Sequence, residues 1–332
     1  MKTVSVIVPI FNEELYIENF LDSLVNQNFP TEQYEVLLVD GNSTDNTVEK
    51  IVNYMEYSEL DFQVIDNPNR IQASAMNLGL HYAKGKYIIR LDAHAKYPEE
   101  YISSCVELLE STDADNVGFC IETEGTTPIG KKIAKVFSSP IGVGNSQFRI
   151  NGHLENVDTV PFGAFKKETL IKLGGFNEHL ECNEDNDINH RIRQAGGNIV
   201  LSNKLKSVYY ARNNISDFLK MAIRNGKWNV MTLYYSKNAM NVRHFIPLLF
   251  LMSNVFLLAL SLFFHVFILL LALEWILYIG LNVYFYRKVS KNILELFSLF
   301  FITVLFHVSY GIGSVIGIKN LIRLWNKGGK RD

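Results

Sequence analysis

From Pro247 to Leu273 the chain carries no charged side chain, and after a lone Glu274 the next charge is Arg287. A second uncharged run extends from Leu296 to Ile318. A helix that crosses a bilayer needs about 20 consecutive apolar residues. Residues 246–286 are therefore long enough for two spans with a turn near Ser261–His265, and 296–318 for one more. The alternative is an unusually apolar helical core in a soluble protein. Arg287, Lys288 and Lys291 between the runs suit a cytoplasmic loop, because positive residues are retained on that side. The basic tail over 319–332, with Lys319, Arg323, Lys327, Lys330 and Arg331, suits the same side. Three full spans would put that tail on the other side. Either 290–318 is a kinked hairpin or interfacial segment, which Gly311, Gly313 and Gly317 would permit, or a further segment crosses. The region 245–318 is thus expected to hold two to four helical segments.

Residues 1–240 read as an ordinary α/β protein. Met1-Lys2-Thr3 leads straight into VSVIVPI, only a strand long, with no small-residue cleavage site after it. This part is expected to stay in the cytosol, with the chain as a multi-pass protein of the inner membrane. A length of 332 residues suggests about two domains. A net charge of −2 argues against nucleic acid as partner, since no basic excess exists to neutralise phosphates. Cys105, Cys120 and Cys182 lack metal-type or framework spacing and read as buried free thiols in a reducing compartment.

Strand-like apolar runs alternate with helical patterns. Val4–Pro9, Glu35–Asp40, Phe62–Asp66 and Tyr87–Leu91 are predicted strands. Glu14–Asn26, Thr47–Tyr54 and Ile71–Ala83 are predicted helices. Alternation of this kind implies a parallel sheet covered on both faces, with ligands bound beyond the carboxyl ends of the strands. Pro9–Glu13, Asp40–Asp45 and Asp92–His94 all fall at such ends, so three polar clusters converge on one crevice. No GxGxxG follows the first strand and no GxxxxGK[ST] occurs, so the dinucleotide and phosphate-loop fingerprints are missing. Asp40 can accept from a base imide or ribose hydroxyl. Asp92 and His94 can share a divalent cation, with a substrate diphosphate completing its shell, or they can cap a polar turn. Carboxylate with imidazole suits Mn²⁺ better than Mg²⁺.

The ordered stretches VSVIVPIFNEE, EVLLVDGNSTDNT and AMNLGLHYAKGKYIIRLDAH resemble the family 2 glycosyltransferases, which have a GT-A fold. That family commonly reads V-P-x-x-N-E, V-D-D-G-S-x-D-x-T, A-x-N-x-G and L-D-x-D, and the resemblance covers roughly residues 3–230. Within it, LDAHA and the Asn67–Gly79 segment are most similar to membrane enzymes of bacterial exopolysaccharide, succinoglycan-type, biosynthesis. Two positions depart from the pattern: Gly41 replaces the second Asp of V-D-D-G, and His94 replaces the second Asp of D-x-D.

The resemblance implies a nucleotide pocket lined by Pro9 and Glu13, with Asp40 at the uracil, supported by Asn42 or Asp45. Arg70 would lie near the nucleotide or its phosphates, or else is a surface arginine after a Pro-Asn turn. Asn77 is a helix-packing residue or a substrate contact. Asp92 and His94 would hold Mn²⁺ or Mg²⁺. The segment GGFNEHLECNEDNDINHRIRQAGG opens a helix with acids, which also suits capping. By resemblance Asp185 is the general base, Glu184 orients it and Arg191 supports the site. Val160–Lys166 would be an acceptor-side strand whose Gly163-Ala164 lets substrate approach, or an ordinary sheet strand.

Ile215–Trp228 reads as an amphipathic helix, part of a membrane-interface segment over 215–243, able to lie in the headgroup plane. Related polymer synthases have Q-x-x-R-W here. Arg224 touching phosphates and Trp228 stacking on a sugar compete with simple membrane anchoring. The missing full motif and the few spans disfavour a processive polymerase. The expected function is single inverting transfer from a nucleotide sugar, by family habit a UDP-sugar, to a polyprenyl-linked saccharide in exopolysaccharide or capsule assembly. Other polysaccharide-assembly proteins are candidate partners beside the bilayer. Transfer directly to polyprenyl phosphate and a non-catalytic nucleotide-sugar-binding scaffold are the alternatives. A transporter is disfavoured, since the spans carry one acid, Glu274, and two histidines, His265 and His307.

Overall fold

The computed structural model describes residues 2–150 and 153–326; Lys327, Lys330 and Arg331 of the basic tail lie outside the described residues. In chain order the first elements are β1 (Val4–Ile10), α1 (Ile17–Val25), β2 (Tyr34–Asp40), α2 (Thr47–Met55), β3 (Phe62–Asp66), α3 (Gln72–Tyr82) and β4 (Tyr87–Arg90). Then come β5 (Ala95–Lys96), α4 (Tyr101–Ser111), β6 (Ala114–Glu124), α5 (Pro128–Phe137), α6 (Pro140–Val143), β7 (Glu155–Asn156) and β8 (Ala164–Lys166). The remainder is α7 (Lys167–Lys172), α8 (Glu184–Gln194), β9 (Asn198–Tyr210), α9 (Ile215–Tyr235), α10 (Ile246–Ser261), α11 (Val266–Tyr286) and α12 (Ile293–Asn326).

Two compact units share the chain. One gathers residues 1–122 and 151–209, the other 123–150 and 210–332. The division therefore differs from a single cut near residue 240. Residues 123–150 belong with the C-terminal helices, and a helix forms within them. Thr127 caps α5 by accepting from the Gly130 amide at 3.0 Å, and Pro128 occupies its first turn.

The first unit is built on a sheet in the order β3-β2-β1-β4-β8-β6-β9-β5, with β7 also on β9. β3, β2, β1 and β4 are parallel neighbours. β8 joins β4 and β6 antiparallel, and β5 joins β9 antiparallel. β1 and β2 are buried almost throughout, as their largely apolar runs require when helices cover both faces. Register places Ile10 opposite Asp40, and Asp40 opposite Asp66. The loops after these strands consequently leave the sheet at one edge. The residue pair Gly163-Ala164 is taken up by packing: a Cβ at Gly163 would strike Asn116 and the Phe165 ring. Val160–Lys166 is thus a sheet strand and its lead-in, and the backbone at Gly163 faces protein. The three cysteines are buried and free.

In the second unit α5, α9, α11 and α12 share a core of Ile133, Val136, Phe137, Phe218, Tyr286, Leu299, Ile302 and Phe306. Phe218 stacks on Phe306 at 5.2 Å. Three helical stretches among the described residues are long and apolar enough to cross a membrane: Val242–Ser261, Val266–Tyr286 and Ile293–Asn326, with mean hydropathies of 1.9, 2.2 and 1.9. The turn between α10 and α11 falls at Leu262–His265, where expected.

The kink that Gly311, Gly313 and Gly317 would permit does not form. α12 is one continuous helix of 34 residues, ~51 Å long at 1.5 Å per residue. Its glycines serve close helix contact instead. A Cβ on Gly313 would run into the Ile223 carbonyl, one on Gly317 into the Lys227 carbonyl, and one on Gly226 of α9 into the Tyr310 carbonyl. Ser314 donates to the Gly226 carbonyl at 3.2 Å in the same crossing. Gly311 fits against Pro247 and Leu251 of α10 in the same manner. Small residues let backbones approach, which is how helices associate where lipid removes the hydrophobic drive. The face of α9 expected in the headgroup plane is therefore spent largely on α12. Gly313→Leu should lower the melting temperature of the detergent-purified protein, by the equivalent of about 2 kcal/mol. Gly280→Leu, at a position with no atom within 4 Å, should leave it unchanged.

Candidate active site

Two loops at the sheet edge are zipped together. Asn12 adopts φ 56° and its amide donates to Ser43 Oγ at 2.9 Å, while its Oδ1 accepts from the Thr44 amide at 2.8 Å. The Glu13 amide donates to Thr47 Oγ1 at 2.7 Å. Asp45 accepts from the Glu14 and Thr47 amides. Asp40 is 5% exposed and accepts from the Ser43 amide and hydroxyl, the latter at 2.6 Å. Asp40 and Asp45 are thus committed first to shaping the loop, with lone pairs left on Asp40 for a ligand. Asn42 is exposed at φ 60°, a left-handed turn that asparagine tolerates. Pro9 sits half-buried near the end of β1. Arg70 is exposed at φ 59° in the turn after β3, with its amide bonded to the Asn67 carbonyl.

The Asp92-Ala93-His94 turn is pinned by Tyr97, whose hydroxyl accepts from the Asp92 amide at 2.9 Å. Gln72 Nε2 reaches Asp92 Oδ1 at 3.4 Å. His94 Nδ1 lies 2.9 Å from Glu13 Oε1, and its ring meets Tyr209 edge-on. This joins a residue expected at the nucleotide to one expected at the metal, a pairing that spacing along the chain did not suggest. No cluster of three or more His, Cys, Asp or Glu suited to a metal exists among the described residues. Asp92 and His94 nevertheless fit a cation that draws the rest of its shell from substrate oxygens: a part-exposed carboxylate and an imidazole on one turn.

On the opposite side stands α8. Asn183 opens it at φ 66°, and Glu184 behind it is 3% exposed. Glu184 Oε1 accepts from Arg90 Nη1 at 2.9 Å. Asp185 is half-buried and accepts from the Asn186 amide at 2.7 Å. Arg191 does not face this group directly. It pairs with Asp187 at 2.7 Å and donates to the carbonyls of Leu173 and Gly175 at 2.8 and 2.7 Å. It supports the site by fastening the Gly174-Gly175 turn to α8. Asn77 fastens the same segment to α3 through both Phe176 backbone groups, at 2.7 and 2.9 Å, so it is a packing residue.

Arg90, which the sequence analysis did not single out, joins the two acidic groups. Its Nε is 3.5 Å from Asp92 Oδ1 and its Nη1 holds Glu184. A signal did exist: it is the single charge in the apolar strand YIIR, two residues before Asp92. Burial raises the Glu184 carboxyl from its ordinary 4.5 to about 7; Arg90 opposes this, while Asp185 and Asp92 add to it. A carboxyl raised on folding binds its proton more tightly in the native state. Its stabilising contribution is full below the unfolded value and is lost as pH rises through 7. Glu184→Gln should therefore flatten the fall in thermal stability between pH 5 and pH 8, by at most about 3 kcal/mol.

Two expected site residues belong to the second unit. Arg224 is exposed on α9. Trp228 is 5% exposed, with Lys227 Nζ 5.5 Å from its ring centroid. A ring buried within its own helical unit is a packing residue rather than the open sugar platform that was expected.

A parallel sheet with acidic loops at its carboxyl edge and a second acidic pair on a facing helix defines a nucleotide-sugar transferase of GT-A type. Residues 5–174 match the Glycosyl transferase family 2 model, over half of the chain, and the chain belongs to that family. It is a glycosyltransferase. It is 28% identical over 245 residues to the succinoglycan biosynthesis protein ExoA of Rhizobium meliloti (strain 1021), covering 73% of this chain and 74% of that protein. It is also 28% identical over 254 residues to the dolichyl N-acetyl-alpha-D-glucosaminyl phosphate 3-beta-D-2,3-diacetamido-2,3-dideoxy-beta-D-glucuronosyltransferase of Methanococcus voltae, covering 70% and 78%. The mannosyltransferase PcManGT from Pyrobaculum calidifontis, solved with GDP-Man and Mn²⁺, shares the fold with a TM-score of 0.65 at 20% identity, over 94% of this chain and 86% of that one.

Proposed function

We propose that the protein transfers one sugar from a nucleoside-diphosphate donor to a lipid-linked saccharide, with inversion, in exopolysaccharide or capsule assembly. The observation that carries this is the meeting of the Asp92-His94 turn with Glu184-Asp185 through Arg90. Pro9, Glu13, Asp40, Asn42, Asp45 and Arg70 surround the nucleotide in this reading. Asp92 and His94 would hold a divalent cation, Mn²⁺ or Mg²⁺, which when bound supplies Lewis-acid stabilisation of the departing diphosphate. Asp185 takes the proton of the acceptor hydroxyl, whose oxygen forms the new bond to the anomeric carbon. The bond from that carbon to the diphosphate breaks, and its electron pair leaves with the nucleotide.

A lipid-linked acceptor is favoured by the three apolar helices, which would anchor the enzyme at the bilayer as a multi-pass inner-membrane protein with its catalytic unit in the cytosol. The archaeal relative named after a dolichyl-linked sugar supports the same acceptor class. A UDP-sugar remains the first donor to try. The test is transfer in native membranes or detergent. UDP-glucose, UDP-galactose, UDP-N-acetylglucosamine and GDP-mannose are offered with Mn²⁺ or Mg²⁺ and a lipid extract. Sugar is expected in the lipid fraction with one donor. Folded protein that binds nucleotide yet transfers nothing to lipid-linked saccharide or to polyprenyl phosphate would support the scaffold alternative instead.

A further inference from the structure

Arg90 faces three carboxylates that the proposed mechanism assigns to opposite halves of the reaction. Asp92 belongs to the donor side, and Glu184 and Asp185 belong to the acceptor side. The guanidinium side chain is 12% exposed and feels the charge of all three. Like charges at such range disfavour one another strongly where water is scarce. A single buried cation between them makes the arrangement tolerable.

The contacts are unequal. Nη1 makes a full hydrogen bond to Glu184 at 2.9 Å. Nε, 3.5 Å from Asp92, is buried and has no hydrogen-bond partner among the described residues. Buried donors are normally satisfied, so an unsatisfied one calls for an explanation. A purely structural ion pair would be expected to close both contacts. Asp92 is held by the charge of Arg90 and by a long contact from Gln72 Nε2 at 3.4 Å, and its part-exposed carboxylate keeps lone pairs for a ligand.

We propose that Arg90 is a positioning residue that couples the donor-side carboxylate Asp92 to the base-bearing start of α8. This rests on the reading of Asp92 as donor-side and Asp185 as base. The fork geometry matters, because Nε and Nη1 point to different partners. A lysine would offer one point charge and could serve only one of them well.

The test combines direct binding with turnover. Calorimetry would measure UDP and GDP affinity with and without Mn²⁺ for wild type, Arg90→Lys, Arg90→Gln, Glu184→Gln and the Arg90→Gln/Glu184→Gln double variant. Turnover would be measured on the same preparations. Arg90→Lys is expected to keep Mn²⁺-dependent nucleotide binding within about threefold, while kcat falls about 100-fold and donor KM hardly moves. Effects of Arg90→Gln and Glu184→Gln on nucleotide binding should be non-additive, since Glu184 acts through Arg90. Turnover of Arg90→Lys within threefold of wild type would overturn the proposal. So would binding, turnover and melting temperature falling together, or strict additivity in the binding cycle. A wild type that transfers no sugar would count against the proposed function, and the binding cycle would still decide on Arg90.

Discussion

Asp185→Asn is expected to lower kcat about 10²- to 10⁴-fold, the usual worth of a positioned general base, while leaving nucleotide affinity near that of wild type. The asparagine is nearly isosteric and can still accept from the Asn186 amide through its carbonyl oxygen, so the first turn of α8 should persist. What it loses is the capacity to take the acceptor proton. Asp185 is suited to that role because it is half-buried at the opening of α8, while its neighbour Glu184 is turned inward onto Arg90. Single-turnover transfer with radiolabelled donor would measure the effect. Unchanged kcat would remove Asp185 from the mechanism and direct attention to Glu184.

Asp92→Ala is expected to abolish the dependence of nucleotide binding on Mn²⁺ or Mg²⁺ and to reduce transfer at least about 100-fold. Deleting this carboxylate leaves His94, already engaged with Glu13 at 2.9 Å, as the remaining side-chain donor on the turn. It also frees the Arg90 Nε side, so the variant should hold a nucleoside diphosphate through positive charge without a cation. Titrating UDP into the variant with and without Mn²⁺ reads this directly. Cation-dependent affinity equal to wild type would move the metal site elsewhere.

Much of the first unit was legible in advance because its signals are local. Short, largely apolar runs such as Val4–Pro9 read as strands buried on both faces, and their alternation with helical patterns implies the parallel arrangement. The ends drifted by one to three residues: Glu14–Asn26 became Ile17–Val25, and Tyr87–Leu91 stopped at Arg90. Gly311, Gly313 and Gly317 illustrate the opposite case. Glycines in an apolar helix permit either a bend or a close contact, and the chain alone does not say which. For Gly313 and Gly317 the answer came from α9, more than eighty residues earlier, whose Gly226 accepts from Ser314, and for Gly311 it came from α10. The burial of Trp228 likewise depends on neighbours that are remote in sequence.

The sequence by itself determined the first four strands with the helices between them, their order and the acidic residues at the strand ends, because periodicity and composition act over a few residues. It also determined the three apolar stretches, since charge exclusion is a local property. Only the tertiary structure decided which acids share a partner. Arg90 bridging Asp92 and Glu184, His94 meeting Glu13, and Arg191 turning away to brace Gly175 each join residues brought close by the sheet and α8 rather than by adjacency. Electrostatic coupling falls with distance in space and with solvent access, and neither quantity is written along the chain.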